Sequence, residues 1–442
     1  MSSRRYVIVG ASAAGVSAAE TVREYQPNAE IVMVSDEGLV YSRPMLSYYL
    51  AGTADEERTL YRPRDFFTAN GIDARFTRAT ELEPDKGRVK LQDGDVVEYD
   101  ELLLATGASP RFPDAEGIHR SGVFGLRTLA DVEGIREHIP NAKRAVVLGA
   151  GLVGLKAAAG LKRQGLDVTV LVGSPHVLSQ MLDQESSDVF RTLFEEHDVP
   201  IVTGVNPVAV HGNGAPTGVE ADSGDTFPCD LVVVGKGVDP NMELALDAGL
   251  QTDYGVCVDE HLMTSAESIY AAGDVAQAMD VVRGETWINA LWPCAVEQGR
   301  IAALNMLGHA APYEGSMRMN SVQFFDLPVI SAGLAVLTPG PLGSRPGEHD
   351  ETIEDHDSSS LYRKVFLKDD TVVGFVLVGE IETAGILRVL MEKRVDVSAI
   401  KDDLLSARLD LGRILPLVES RSDRFTEPEF QELAETVSVG VS

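Results

Sequence analysis

The 442-residue sequence has little cysteine, and that scarcity excludes much chemistry. Its three cysteines, Cys229, Cys257 and Cys294, form no CxxC pair, so neither a disulfide scaffold nor a dithiol motif is expected. Long apolar runs are missing as well. None approaches the roughly 20 residues that span a bilayer, and no membrane association is expected. Bases are scarce, 38 Lys and Arg against 68 Asp and Glu, for a formal charge of -30. A surface of that sign repels phosphate backbones, which argues against a nucleic-acid partner. Lysine is the scarcer base, at 10 of the 38. That bias fits equally an adaptation to salt and a face for a basic partner. Arg4-Arg5 before apolar residues has the outline of a targeting signal, but Glu20 and Arg23 arrive early and Gly10 and Gly15 interrupt the apolar stretch. A cytoplasmic location is expected. The remaining composition, 44% hydrophobic and 24% charged, is that of an ordinary globular chain of two or three domains.

What is present is a local pattern that occurs twice. Residues 5–9 predict a short buried strand, followed by Gly10-Ala11-Ser12-Ala13-Ala14-Gly15, an Ala-rich helix to about Tyr25, and a second strand over Ile31–Val34 that ends in Ser35-Asp36-Glu37. Strand, glycine turn, helix, strand and acid form the dinucleotide fingerprint in its required context. Gly10 makes the tight turn and Gly15 lets helix and strand approach. The helix N-terminus offers unpaired N–H groups to a pyrophosphate. Asp36 or Glu37 can hold ribose hydroxyls. Ser12 stands where the middle glycine would be and narrows the backbone approach slightly.

The second copy has a strand at Ala145–Leu148, then Gly149-Ala150-Gly151-Leu152-Val153-Gly154, a helix to about Gln164 and a strand at Val168–Val172. One GxGxxG can be a turn that binds nothing. Two, each between strand and helix, imply two dinucleotides, a flavin and a nicotinamide. Three further apolar strands end at glycines: Leu102–Leu104 before Ala105-Thr106-Gly107, Leu231–Val234 before Gly235-Lys236-Gly237, and Ile269–Ala271 before Gly273-Asp274. A carboxylate at Asp274 can accept a hydrogen bond from a sugar-alcohol chain.

Both fingerprints, Ala105-Thr106-Gly107, Gly273-Asp274 and Tyr41-Ser42-Arg43-Pro44 together resemble the FAD-dependent pyridine nucleotide-disulfide oxidoreductases, over about residues 4–310. The resemblance is to their rubredoxin or ferredoxin reductase and NADH oxidase-like branch. It implies an α/β fold with two Rossmann-like domains, one for FAD and one for NAD(P)H, and an α+β C-terminal domain. The implied boundaries are 1–115 with 255–320 for FAD, 116–254 for the nicotinamide, and 321–442 for an interface or dimerisation domain with a tail. The resemblance assigns FAD to Gly10, Ser12, Ala13, Ala14, Gly15, Asp36, Glu37, Arg43, Pro44, Ala105, Thr106, Gly107, Gly273 and Asp274. It assigns the nicotinamide dinucleotide to Gly149, Gly151, Leu152, Val153, Gly154, Gly235 and Gly237. Arg43 would meet the flavin or its phosphates.

Related enzymes place a redox cysteine pair or a single cysteine near the flavin. Here the loop after the second strand reads Tyr41-Ser42-Arg43-Pro44-Met45-Leu46-Ser47-Tyr48, and Met45 stands where the single cysteine would be. A thioether forms neither a thiolate nor a mixed disulfide, so disulfide reduction and sulfenate chemistry are disfavoured. Cys294, after Trp292-Pro293, is solitary and reads as a small buried hydrophobe. The chemistry left is hydride from NAD(P)H to flavin, then single electrons onward.

Relatives carry a carboxylate two residues past the last glycine of the second fingerprint and, in ferredoxin-reductase-like members, a lysine near the position of Tyr48. Here the helix position is Lys156, so the cation has moved from loop to helix. Lys156 is expected beside the flavin, stabilising its reduced anionic ring, with a plain surface lysine as the alternative. Asn289, Ala290 and Trp292 are expected to contact the cofactor, Trp292 packing on flavin or nicotinamide or else serving as a core or interface residue, and they precede a helix from about Ala295 whose N-terminal dipole would offset charge on the flavin. After Val168–Val172, Gly173-Ser174-Pro175-His176 supplies no acid for a free ribose and no Arg or Lys for a 2′-phosphate. NAD is preferred over NADP on that ground.

From about Asn320 the expected elements are strands at Ser321–Phe325, Val329–Ala332, Tyr362–Leu367 and Val372–Val378, a loop over Thr338–Ser360 and a helix over Thr383–Lys393. The last 25 residues read as an extension, either a partner-binding tail or a docked helix. The expected activity is that of a FAD-dependent NAD(P)H:acceptor oxidoreductase that exchanges electrons with a rubredoxin, a ferredoxin or an iron-sulfur subunit of a complex. The chain carries no cluster ligands of its own, and no metal site is expected. An NADH oxidase using oxygen or a quinone-like acceptor is the alternative. A non-catalytic NAD(H)-binding sensor or scaffold is another. A homo-oligomer or a complex subunit is allowed by either enzyme reading.

Overall fold

The structure is a computed structural model that describes residues 4–335, 349–358 and 361–406, together with 409, 410, 412, 414 and 417. It divides into two compact units, Met1–Leu171 with Asn206–Ser316, and Val172–Val205 with Met317–Ser442.

The first unit holds two parallel sheets. One runs in the order Ile269–Ala271, Glu101–Leu104, Arg5–Val9, Glu30–Val34, Ile72–Arg75. Its central strands are apolar without alternation because both faces are covered: Tyr6 and Ile8 lie against the helices Ala13–Tyr25 and Trp292–Met306, and Val7 and Val9 against the antiparallel strands Ala79–Glu83, Arg88–Leu91 and Val96–Glu98. Tyr6, Val7 and Ile8 are fully buried and pair with Ile31, Val32 and Met33. The helix Ala13–Tyr25 follows the first strand, and the helix Trp292–Met306 packs beside it. These helices touch closely because both carry small residues. A Cβ on Gly299 would lie 2.1 Å from the Ala14 carbonyl oxygen. The second sheet contains Asp167–Val172, Arg144–Leu148, Leu231–Val234 and Val123–Phe124 in that order, again parallel. The short helix Leu46–Leu50 packs against Leu129–His138 and Leu152–Arg163. No described helix is long and apolar enough to cross a membrane.

The second unit is built on a five-stranded antiparallel sheet in the order Met319–Phe324, Leu327–Gly333, Thr371–Val378, Leu361–Lys368, Glu351–Ser358. Two helices, Gln184–Glu196 and Ala384–Glu392, belong to the same unit. The segment expected as a loop to Ser360 therefore contains an edge strand, Glu351–Ser358, with Ile353 opposite Val365. Its polar sequence hid it, because an edge strand takes its hydrogen bonds from one neighbour and needs few apolar residues. Residues 336–348 and the expected C-terminal extension lie outside the described residues.

Residues 172–205, which follow the second fingerprint in sequence, group with the C-terminal sheet. Ser331 Oγ donates to the Met181 carbonyl at 2.7 Å, Tyr362 OH donates to Asp183 at 2.6 Å, and Phe190 and Phe194 meet Phe324 edge-on. These are long-range side-chain matches, invisible to a local pattern.

Candidate active site: two dinucleotide cradles in one unit

The two glycine turns are built alike. Gly10 N donates to the Val34 carbonyl at 2.8 Å and Gly149 N to that of Leu171 at 2.7 Å. Ala105 N donates to Val9 and Gly235 N to Leu148, each at 2.8 Å. Gly10 and Gly149 adopt φ of +116° and +109°, a region in which side chains clash. A Cβ on Gly15 would lie 1.9 Å from the Gly10 carbonyl oxygen, and one on Gly154 would lie 2.0 Å from that of Gly149. Neither helix has an N-cap side-chain bond or an acid in its first turn. The leading N–H groups are thus left for a ligand. These turns fit diphosphates: only glycine fits the close passages, and no side chain competes at either helix start.

Around the first cradle the structure joins residues far apart in sequence. The Arg43 guanidinium donates to Glu37 at 2.6 Å, to the Arg127 backbone carbonyl at 2.7 Å and to Tyr41 OH at 3.2 Å. Tyr41 OH donates to the other Glu37 oxygen and accepts from Leu129 N at 3.1 Å. Arg127 pairs with Asp274 at 2.5 Å. Burial raises the Tyr41 pKa, so that phenol stays protonated. Burial opposes the Arg43 charge, but the Glu37 carboxylate beside it helps hold it above its ordinary range. Gly273, at φ +81°, donates its N–H to buried Gln298 Oε1 at 2.8 Å, which sets the turn that carries Asp274. Thr106 is held by a two-way exchange with Asn241, at 2.8 Å in each direction.

Glu37, Arg43 and Asp274 therefore converge, together with Ala105–Gly107 and the Gly10–Gly15 turn. Asp36 points elsewhere: it is exposed and pairs with Arg78 at 2.6 Å. Pro44 is exposed on a short 3-10 turn, Arg43–Met45. Trp292 opens its helix and meets Tyr61 edge-on at 5.1 Å. Ala290 is exposed. Asn289 is buried; its amide nitrogen donates to Asp280 and to Ser316 at 3.0 Å each, and its oxygen is sealed from solvent. Its side chain braces this corner of the scaffold. Arg127 and Asn241 were missed in the sequence, and Tyr41 and Gln298 were given no role there. The one local signal was the capping box Thr128–Asp131, which marks a helix start right after Arg127.

At the second cradle, Gly235 lies against Gly154, and a Cβ there would meet Gly154 Cα at 2.5 Å. Gly151 and Val153 are exposed at the helix start, beside half-buried Leu152. Gly237 is exposed at φ +93°. Lys156 Nζ lies 5.0 Å from the centroid of the Tyr48 ring, and burial lowers its pKa. All three thiols are pushed up by burial, that of Cys229 to about 12. No cluster of three or more His, Cys, Asp or Glu with metal-site geometry occurs among the described residues.

Two glycine turns between strand and helix, the first flanked by a charged network, are the pattern of a two-dinucleotide flavin oxidoreductase. The chain belongs to the pyridine nucleotide-disulphide oxidoreductase family, whose model matches residues 4–299, and residues 319–395 match the C-terminal domain of rubredoxin NAD+ reductases. It is 33% identical over 413 residues to subunit epsilon of the NADH-dependent phenylglyoxylate dehydrogenase of Aromatoleum evansii, covering 92% of this chain and 96% of that one. It is 32% identical over 346 residues to an NADH oxidase of Methanocaldococcus jannaschii, covering 76% and 77%. Among solved structures, a ferredoxin reductase from Rhodopseudomonas palustris has a TM-score of 0.82 at 30% identity, covering 92% of this chain and 99% of that one.

Proposed function

We propose that this chain is a cytoplasmic FAD-dependent NADH:acceptor oxidoreductase that passes electrons to a protein carrier, a rubredoxin, a ferredoxin or an iron-sulfur subunit of a larger complex. The observation that carries the reading is the pair of matched cradles within one compact unit. Bound FAD would supply a carrier that takes a hydride from NADH and releases electrons singly. The Gly10–Gly15 turn, Arg43, Glu37, Arg127 and Asp274 would hold it, and the Gly149–Gly154 turn with Gly235 would hold NADH. The corresponding division is 1–115 with 255–320 for FAD, 116–254 for NADH and 321–442 for the C-terminal domain.

What the chain itself contributes is position and field. The exchange between Thr106 and Asn241 ties the loop after the Glu101–Leu104 strand to the loop after Leu231–Val234. The two cradles are thereby held at a set separation, the condition for effectively unimolecular transfer. Lys156 would place positive charge at the contact between the two coenzymes. Protonated, buried thiols support a route without a redox-active cysteine. The absence of Arg and Lys from 168 to 179 supports NADH over NADPH.

The test is anaerobic mixing of the purified protein with NADH, followed by addition of a rubredoxin or a ferredoxin. Rapid bleaching of a yellow protein and reoxidation by the carrier are expected. A colourless protein that FAD cannot reconstitute overturns the reading. Similarity to an NADH oxidase favours a second reading, in which oxygen is the acceptor. Oxygen consumption that outpaces carrier reduction would select it.

A further inference from the structure

We propose that Lys236 is a phosphate-binding residue of the second cradle, its ammonium contacting the pyrophosphate of the nicotinamide dinucleotide. The inference rests on the reading of that cradle as an NADH site. Lys236 follows the strand Leu231–Val234, which lies beside Arg144–Leu148 with Leu148 opposite Val234. It therefore leaves the sheet at the carboxyl ends of the strands, where open α/β sheets take their ligands. Its backbone abuts the turn itself: a Cβ on Gly149 would lie 2.5 Å from the Gly235 carbonyl oxygen and 3.1 Å from Lys236 N.

Acids outnumber bases 68 to 38, and Lys86, Lys90, Lys364 and Lys401 each pair with a carboxylate. Lys236 forms no ion pair among the described residues. Its Nζ reaches a neutral partner, Asn206 Oδ1, at 3.5 Å. The nearby carboxylate of Asp222 is engaged instead by Asn206, which donates from its backbone N at 3.0 Å and from Nδ2 at 3.2 Å. Lys236 is half-buried, and burial lowers its pKa while Asp222 works against that shift. A half-buried cation held by a neutral amide, next to a glycine turn, is arranged for an incoming anion.

The sheet order decides which phosphate. The adenosine ribose of a dinucleotide is read at the end of the strand after the fingerprint helix, here Asp167–Val172. Lys236 ends the strand on the opposite side of Arg144–Leu148. Two strand spacings, about 10 Å, separate those positions. This places the Lys236 backbone nearer the glycine turn that would take the pyrophosphate than the strand end that would read the ribose.

The experiment is calorimetric titration of the FAD-loaded protein with ADP-ribose, adenosine and 2′,5′-ADP, for wild type, Lys236→Gln and Lys236→Arg. ADP-ribose affinity is expected to fall about tenfold in Lys236→Gln, the scale of one hydrogen bond to a charged group. Lys236→Arg is expected to recover most of it, and adenosine, which carries no phosphate, to bind the three proteins alike. The wild-type ADP-ribose affinity should also fall more steeply with salt than that of the Gln variant. Equal ADP-ribose binding by wild type and Lys236→Gln overturns the proposal, as does a loss confined to 2′,5′-ADP. Failure of wild type to bind either ADP-ribose or NADH overturns the underlying NADH-site reading instead.

Discussion

The ammonium of Lys156 lies 5.0 Å from the centre of the Tyr48 ring, which brings the helix after the second glycine turn onto the loop after the first. The neighbouring Tyr49 is engaged in the same way: the Arg136 guanidinium lies 4.6 Å from its ring centroid and donates to its carbonyl at 2.9 Å. Two cation–π contacts thus clamp the helix Leu46–Leu50 between two helices. With the charge at position 156 positive, Lys156→Glu is expected to move the bound flavin's reduction potential to more negative values. It is also expected to slow its reduction by NADH about tenfold. Spectroelectrochemistry and stopped-flow mixing check both. An unchanged potential would reduce Lys156 to a packing role.

The glycines make separable predictions. Gly154→Ala places a methyl 2.0 Å from the Gly149 carbonyl oxygen, a backbone atom that cannot move aside cheaply. The variant should stay yellow and lose NADH binding by about a hundredfold or more. Gly15→Ala makes the equivalent clash with Gly10, at 1.9 Å, and should yield protein poor in FAD. Flavin content and ADP-ribose titration distinguish the two.

A chain with Cys229, Cys257 and Cys294 all replaced by alanine should turn over within about twofold of wild type. The buried Cys229 and Cys294 would cost stability, about 1 kcal/mol each. Anaerobic reductive titration of the natural protein should consume two electrons per flavin and none in thiols. Uptake of four would reveal a disulfide or sulfenate.

Glu101 makes stability depend on pH. It is 7% exposed, Oε2 has no hydrogen-bond partner, and Oε1 lies 3.4 Å from exposed Arg4. Burial, the dominant cause, raises its pKa to about 7. The folded state thus binds its proton more tightly than the unfolded chain. Its stabilising contribution is complete below the ordinary carboxyl range and is lost as pH rises toward 7. Glu101→Gln should leave thermal stability unchanged near pH 4. It should raise stability above pH 7 by about 2 kcal/mol, read as a few degrees in Tm. Equal melting curves for the two proteins at pH 8 would show that Glu101 ionises without cost.

Both cradles were legible in the sequence because each is a local object. A buried strand, a glycine at positive φ, a helix whose first turn must pass a carbonyl and a second strand are dictated by residues within about 30 positions. The strands Arg5–Val9, Glu30–Val34, Arg144–Leu148 and Leu231–Val234 lie within a residue of where apolar runs predicted them. The helix expected from about Ala295 begins instead at Trp292, since Pro293 suits the first turn of a helix. The polar edge strand Glu351–Ser358 escaped because no periodic apolar face marks it.

The sequence by itself determined the fold class, the two glycine turns and the lack of a thiol at Met45, all of which are set by residue type and short spacing. Tertiary structure alone decided which charges meet. Arg127 reaches Asp274 across 147 positions of chain, and Arg43 spans Glu37 and the Arg127 carbonyl. It also turned Asn289 inward, grouped residues 172–205 with the C-terminal sheet, and left Lys236 beside a neutral amide. The physical reason is range. Backbone conformation answers to near neighbours, whereas an ion pair or a desolvated lysine depends on whatever the completed sheets and helices bring within a few ångströms.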